Sequence, residues 1–297
     1  MEMDYYKYQA LGNDYIVIDP NKSNLNVMNE NVKLLCDRNF GIGSDGILYG
    51  PIYENEIIKL RILNPDGSEA EKSGNGIRIF AKYLIDSGYV KDRAFQISTL
   101  GGTVNIEVLD ENATLLRVDM GVASFLSEEI PVNGALREVI NEKLLIGDHE
   151  YRINCVTVGN PHCVILCSDI SERLAKELGP KFESNSIFPN RTNVQFLKIM
   201  DKNNIQIEIW ERGAGYTLAS GSSSCAAASV AYKLGLAENK MKVHMAGGVI
   251  EIEITSSGHI VMTGSVYGVS QGFFHKDLLK RVNGKIDARR VIKEKKT

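Results

Sequence analysis

Apolar positions along the chain fall mostly into short alternating runs broken by glycine, with few stretches at helical spacing. Runs at 15–18, 57–63, 94–98, 104–109 and 115–120 predict strands. Ile77, Phe80, Ala81 and Leu84 recur at helical spacing and predict a helix over 74–87. The second half repeats this order, with strands over 155–158, 163–166, 193–199, 205–210 and 249–254 and a helix over 222–234. That second helix is rich in small residues (Cys225, Ala226, Ala227, Ala228, Ser229), which predicts a central helix enclosed by a curved sheet. A shorter amphipathic helix over 170–178 is expected to cover a sheet face.

The repetition extends to residue identity. Ser73-Gly74-Asn75-Gly76 at the first helix start is answered 147 residues later by Ser220-Gly221-Ser222-Ser223. Gly12-Asn13 and Gly159-Asn160 have the same separation, and Gly101-Gly102 is answered by Gly247-Gly248. Two copies are too few for a solenoid, so the period implies an internal duplication with a site between the copies. The expected fold class is α/β of the α+β type: two pseudo-symmetric domains, each a curved mixed or antiparallel sheet around a central helix. The expected boundaries are residues 1–120 with 267–297 for one domain and 121–266 for the other. Only 125–150 lacks a clear counterpart in the first half.

A chain of 297 residues is long enough for two sizeable cores. Its net charge of −3 offers no basic footprint for nucleic acid. The one basic stretch, 285–296, contains Arg289, Arg290, Lys293 and Lys295 and reads as a solvated end. No run reaches the roughly 18 apolar residues of a membrane span. The first residues, Met1-Glu2-Met3-Asp4-Tyr5, lack a secretory pattern. Five cysteines form no disulfide framework or Cys-x-x-Cys pattern, and together these features predict a cytoplasmic protein with reduced thiols. The histidines are too scattered for a metal site, so no metal is expected.

A helix that begins Gly-Asn-Gly or Gly-Ser-Ser exposes unpaired backbone N–H groups and the positive end of its dipole, and it binds an anion. Two such starts converging across a pseudo-twofold can hold one carboxylate from both sides. Ser73 and Ser220 then face the adjacent atom from opposite directions. Taken singly, each serine is also an ordinary N-cap. The helix starts lack the Lys of a P-loop and the third glycine of a dinucleotide fingerprint. Asn64 and the acidic stretch 66–71 precede the first start, and Glu211-Arg212 precedes the second, again 147 residues on from Asn64. Glu211 and Arg212 suit an ammonium and a second carboxylate, or form an ion pair that closes a turn. His162, beside an apolar strand, reads as a structural histidine.

These motifs together resemble the diaminopimelate epimerase family, within the wider group of cofactor-independent amino-acid racemases. The resemblance runs from 11–15 and 38–46 through 64–71, 73–76 and 159–162 to 211–215. It implies α-proton transfer between two faces of an amino acid, LL- and meso-diaminopimelate in lysine and cell-wall precursor synthesis, without pyridoxal phosphate or metal. It implies that Gly74, Asn75, Gly221 and Ser222 hold the reacting carboxylate. Asn13, Asn64, Asn160, Asn193, Glu211 and Arg212 would hold the other groups, His162 and Glu211 would tune the two catalytic residues, and a homodimer would be the assembly.

The family's two catalytic cysteines fall on Ser73 and Ser220 in this sequence. A cysteine at a helix start reaches a pKa of roughly 3.5–7.5, whereas a serine hydroxyl needs a partner base. Three readings stay open: a substrate-trapping substitution, a branch with altered chemistry, or a protein that binds an amino acid without turning it over. Tyr216 and Gly46 also stand where some members carry larger polar or acidic groups, which leaves a racemase of another amino acid, such as histidine, as an alternative. A phenazine-biosynthesis-type isomerase would instead need Glu69 or Glu71 as its base.

Overall fold

The computed structural model describes residues 4–25 and 27–282; the basic stretch at 285–296 lies outside them. The first half runs β1 (Tyr5–Ala10), β2 (Asn13–Ile18), α1 (Asn29–Cys36), β3 (Ile47–Glu54), β4 (Ile57–Leu63), β5 (Glu69–Ala70), α2 (Gly74–Asp86), β6 (Ala94–Thr99), β7 (Gly102–Val108) and β8 (Leu115–Val122). The second half begins with β9 (Glu142–Ile146), β10 (His149–Thr157), β11 (Pro161–Leu166), α3 (Glu172–Glu183), β12 (Asn193–Asp201) and β13 (Asn204–Glu211). It continues with β14 (Gly215–Thr217), α4 (Gly221–Lys233), β15 (Lys240–Met245), β16 (Gly248–Ile254) and β17 (His259–Ser265), and β18 (Tyr267–Gly272) and α5 (Lys276–Val282) close the described chain.

The strand pairings repeat with the sequence. β2 lies parallel to β3, β3 antiparallel to β4, and β4 parallel to β6. In the second half β11 lies parallel to β12, β12 antiparallel to β13, and β13 parallel to β15. β6–β7–β8 and β15–β16–β17 are matching antiparallel meanders, and β8 pairs with β17 to join the halves. β18 returns to pair with β1, as β9 pairs with β10. The 142–146 part of the segment that lacks a counterpart by sequence period therefore has one, at the other end of the chain. A linear period cannot find a partner in circular order.

Each central helix is dictated by its residues. α2 buries every position from Gly74 to Leu84. α4 buries Ala226, Ala227, Ala228 and Ala231 completely while touching β10 to β13, β15 to β17 and α2, and side chains this small let so many elements approach. Ile77, Phe80 and Leu84 of α2 and Ala226, Ala227 and Val230 of α4 share one continuous apolar core.

α3 starts at its Ser171 cap but continues five residues past the predicted end. Gly179-Pro180 reads as a stop, yet Phe182 is fully buried and Trp210 Nε1 donates to Glu183 at 2.8 Å. Gly179 sits so close to Trp210 that an added Cβ would lie 2.4 Å from its Cγ. That packing outweighs the poor helix propensity of the pair.

Candidate functional site

The two helix starts face each other at the junction of the halves. Their caps are near copies, Ser73 at φ −138°, ψ 115° and Ser220 at φ −146°, ψ 126°. Ser73 Oγ accepts from Gly76 N at 3.1 Å, and Ser220 Oγ accepts from Ser223 N at 3.3 Å. The capping expected of lone serines thus holds at both positions and takes up the Gly76 and Ser223 amides, while the amides of Gly74, Asn75, Gly221 and Ser222 remain available to an anion. An ideal Cβ on Gly74 would stand 3.3 Å from Gly221 Cα and 2.7 Å from Met262 Cε, so glycine is what lets the two starts approach.

A cleft of about 650 Å³ opens over this junction. Its lining includes Asn13, Asn64, Ser73, Gly74, Asn75, Asn160, Asn193, Glu211, Arg212, Ser220, Gly221 and Ser222, which are all the candidate site residues except His162. His162 is fully buried, and its Nε2 is 2.9 Å from Asn160 Oδ1. Burial lowers its pKa to about 3, so it is neutral.

The cleft asparagines are tied into the protein. Asn13 Nδ2 donates to Asp45 at 2.8 Å while its Oδ1 accepts from Asn75 at 3.1 Å. Asn193 Oδ1 accepts from the Arg212 amide at 3.0 Å, and its Nδ2 donates to Pro161 O at 2.8 Å, which joins two site loops. Asn64 donates to Ser68 at 3.0 Å.

Glu211 and Arg212 point to different partners. Arg212 Nη1 donates to Asn190 O at 3.1 Å. The Glu211 carboxyl lies near the Ser220 and Thr217 hydroxyls, and burial, its largest influence, raises its pKa. Glu183 holds their loop from beneath, accepting from Gly213 N at 2.9 Å and pairing with Arg191 at 2.6 Å.

The two serines have unlike neighbours. Ser220 has the Glu211 carboxyl; Ser73 has the hydroxyl of Tyr15 at 3.3 Å, whose pKa burial pushes up. Sequence reasoning assigned no role to Tyr15, Asp45 or Lys72, although all three line the cleft. Lys72 Nζ donates to Met120 O at 2.8 Å, and burial lowers its pKa. Asp45 was visible inside a glycine-rich motif; Tyr15 was indistinguishable from a core strand residue. Glu69 also lines the cleft but is held by Arg61, Nη2 to Oε2 at 2.8 Å and Nε to Oε1 at 3.1 Å. Among the described residues no group of three or more His, Cys, Asp or Glu side chains is placed to hold a metal ion.

The profile of the family described as "Diaminopimelate epimerase" matches residues 5–126 and 154–269. The chain belongs to this family. It is 55% identical over 271 residues to Diaminopimelate epimerase 2 of Nostoc sp., covering 91% of this chain and 95% of that one. It is 41% identical over 272 residues to the Diaminopimelate epimerase of Caldanaerobacter subterraneus subsp. tengcongensis, covering 91% and 98%. Among solved structures, a probable proline racemase from Agrobacterium radiobacter K84 superposes with a TM-score of 0.70 at 13% identity, covering 95% and 99% of the two chains. That likeness extends the shared architecture of the epimerase family to racemases, and the α+β fold of two pseudo-symmetric halves agrees with it.

Proposed function

We propose that this chain is an epimerase-type isomerase that interconverts LL- and meso-diaminopimelate by moving the α-proton. The observation that carries the reading is the meeting of two capped helix starts, Gly74 and Gly221 nearly in contact, under one cleft lined by the candidate polar residues. The amide groups of Gly74, Asn75, Gly221 and Ser222 suit the reacting carboxylate. Glu211 suits an ammonium, and Arg212, which uses only one of its donors on Asn190, suits the distal carboxylate. Asn13, Asn64, Asn160 and Asn193 complete the polar wall, and His162 acts through Asn160.

The proton path follows from the unlike partners of the serines. On one face the Cα–H bond breaks, Ser220 Oγ takes that proton, and the hydroxyl proton of Ser220 passes to Glu211. The electron pair left on the substrate is stabilised at the paired helix starts. On the other face Ser73 gives its proton to Cα and takes one from Tyr15, which recovers a proton from solvent. Ser220 has a carboxylate neighbour where Ser73 has a phenol, so the isomer whose α-hydrogen faces Ser220 exchanges faster.

The same reading assigns residues 1–120 and the segment from 267 to one unit and 121–266 to the other, places the protein in the cytoplasm, and makes it a homodimer. Pairing of β18 with β1 supports the first boundary. One observation favours a second substrate: Tyr216, anchored by its hydroxyl to Glu208 at 2.8 Å, gives the cleft an aromatic wall that suits a ring such as that of histidine. Incubation with LL-diaminopimelate and, separately, L-histidine, followed by chiral separation, tests both. Formation of meso-diaminopimelate supports the first reading. D-Histidine alone replaces it with the second, and binding with no isomer from either leaves a binding protein.

A further inference from the structure

The centre of the molecule holds an unusual charge. Arg78, one turn into α2, is fully buried and is the largest side chain so enclosed among the described residues. Its guanidinium donates to Asn75 Oδ1 at 2.7 Å, Gly74 O at 3.3 Å and Met262 Sδ at 3.1 Å, and its Nε has no partner. None of these acceptors carries a charge. Burial lowers its pKa to about 10, so it remains a cation at neutral pH. A buried cation balanced only by neutral groups is costly unless something else compensates it.

Its contacts lead to both helix starts. Asn75, with its oxygen held by Arg78, turns its Nδ2 toward Asn13 Oδ1 at 3.1 Å and Ala219 O at 3.4 Å, the latter just before Ser220 in the other half. Met262, the other acceptor, lies against both glycines: a Cβ on Gly221 would be 2.9 Å from its Sδ and one on Gly74 2.7 Å from its Cε. One side chain therefore touches, through one intermediary each, the two segments that form the anion cradle.

We infer that Arg78 is the positioning residue of the cradle: it locks the Asn75 amide that ties the two helix starts together, and its unpaired charge is balanced when a substrate carboxylate occupies them. The inference rests on the reading of the cleft as an amino-acid carboxylate site and assigns the cause of that affinity to a residue beneath it. The cation also disfavours a neutral ligand end, so the amide of the same amino acid gains nothing from it.

Full-length Arg78→Met and Arg78→Lys provide the test, with calorimetric titration of LL-diaminopimelate and amide hydrogen exchange of the free proteins. Arg78→Met is expected to fold, because it removes an unbalanced buried charge and keeps most of the volume. Its affinity should fall roughly 10- to 100-fold, the loss of charge-assisted stabilisation. Exchange protection at 74–77 and 220–224 should drop about tenfold or more while that of β8 and β17 is kept. Arg78→Lys should recover part of the affinity without the protection, since it restores charge but not the planar fork. Wild-type affinity in Arg78→Met overturns the proposal and leaves the substrate reading standing. A native chain that binds no diaminopimelate overturns the substrate reading instead. In that case unchanged protection at both helix starts in Arg78→Met overturns the positioning role as well, and lost protection supports it.

Discussion

Adding one methyl group at Gly221 tests whether the approach of the two helix starts is what makes the site. An ideal Cβ there would lie 2.9 Å from Met262 Sδ and 3.1 Å from Gly74 Cα, against the roughly 3.5–4.0 Å at which carbon atoms attract. The sulfur can shift by rotating the side chain; the Gly74 backbone moves only if α2 retreats from α4. Overpacking of this kind costs about 1–3 kcal/mol. The same methyl on Gly74 meets chiefly Met262 Cε, the end of a rotatable side chain, at 2.7 Å, with Gly221 Cα at 3.3 Å. Gly74→Ala should therefore cost less than Gly221→Ala, about 1 kcal/mol against about 2. Combining Gly221→Ala with Met262→Ala frees the sulfur side but not the backbone side, so the pair should couple by about 1 kcal/mol rather than add. Gly268→Ala, where a Cβ meets only Tyr8 at 3.5 Å, is the control and should stay within about 0.5 kcal/mol of the native chain. Urea unfolding measures the stability and calorimetric titration of the amino acid measures the cleft. A Gly221→Ala protein with native stability and native affinity would refute the argument that this contact holds the cradle.

Other outcomes follow from individual groups. His162 is held down to about 3 against an ordinary 6.5, so the unfolded chain takes up a proton below pH 6.5 that the folded chain refuses until about pH 3. Its contribution to stability is complete above pH 6.5 and declines on acidification by up to about 1.4 kcal/mol per pH unit. His162→Gln should therefore lose less stability between pH 7 and pH 5 than the native chain, and an equal loss in urea titrations would exclude this account. Glu211→Gln removes the carboxylate that faces the substrate ammonium, so it should weaken binding roughly tenfold or more and abolish proton exchange from the isomer facing Ser220; retained exchange at saturating substrate removes Glu211 as the acceptor. Because burial raises the Glu211 pKa and the base must be ionised, exchange in the native chain should increase as pH rises through that value. Glu183→Gln weakens three contacts under the 211–215 loop and should cost about 2 kcal/mol in urea unfolding together with weaker ligand binding; unchanged affinity would detach that loop from recognition.

Much of this arrangement was readable before any coordinates. Glycine and serine at both helix starts signalled a cap and an anion site because few other residues permit that backbone exposure. The small-residue run of α4 signalled enclosure for the same steric reason. The asparagines and the Glu211-Arg212 pair were recognisable as polar groups bordering those starts. What was hidden depends on contacts distant in sequence. Tyr15 and Arg78 lie within helical or strand patterns that predict core, and only the folded chain turns one toward Ser73 and the other beneath Asn75. The equivalence of β9 and β18 was obscured because the duplicated units share a circular order. The end of α3 was misplaced because Gly179 and Pro180 mark a stop locally, whereas Trp210 makes glycine a packing requirement.

The most direct test of the central claim is α-proton exchange of LL-diaminopimelate in deuterated water, followed by NMR for the native chain and for a Ser73→Cys, Ser220→Cys double variant. The account predicts exchange in both, faster in the variant because a thiolate at a helix start is a ready base, with the native rate carried by the Glu211 face. Exchange in neither would contradict it and remove diaminopimelate epimerisation as the chemistry of this cleft.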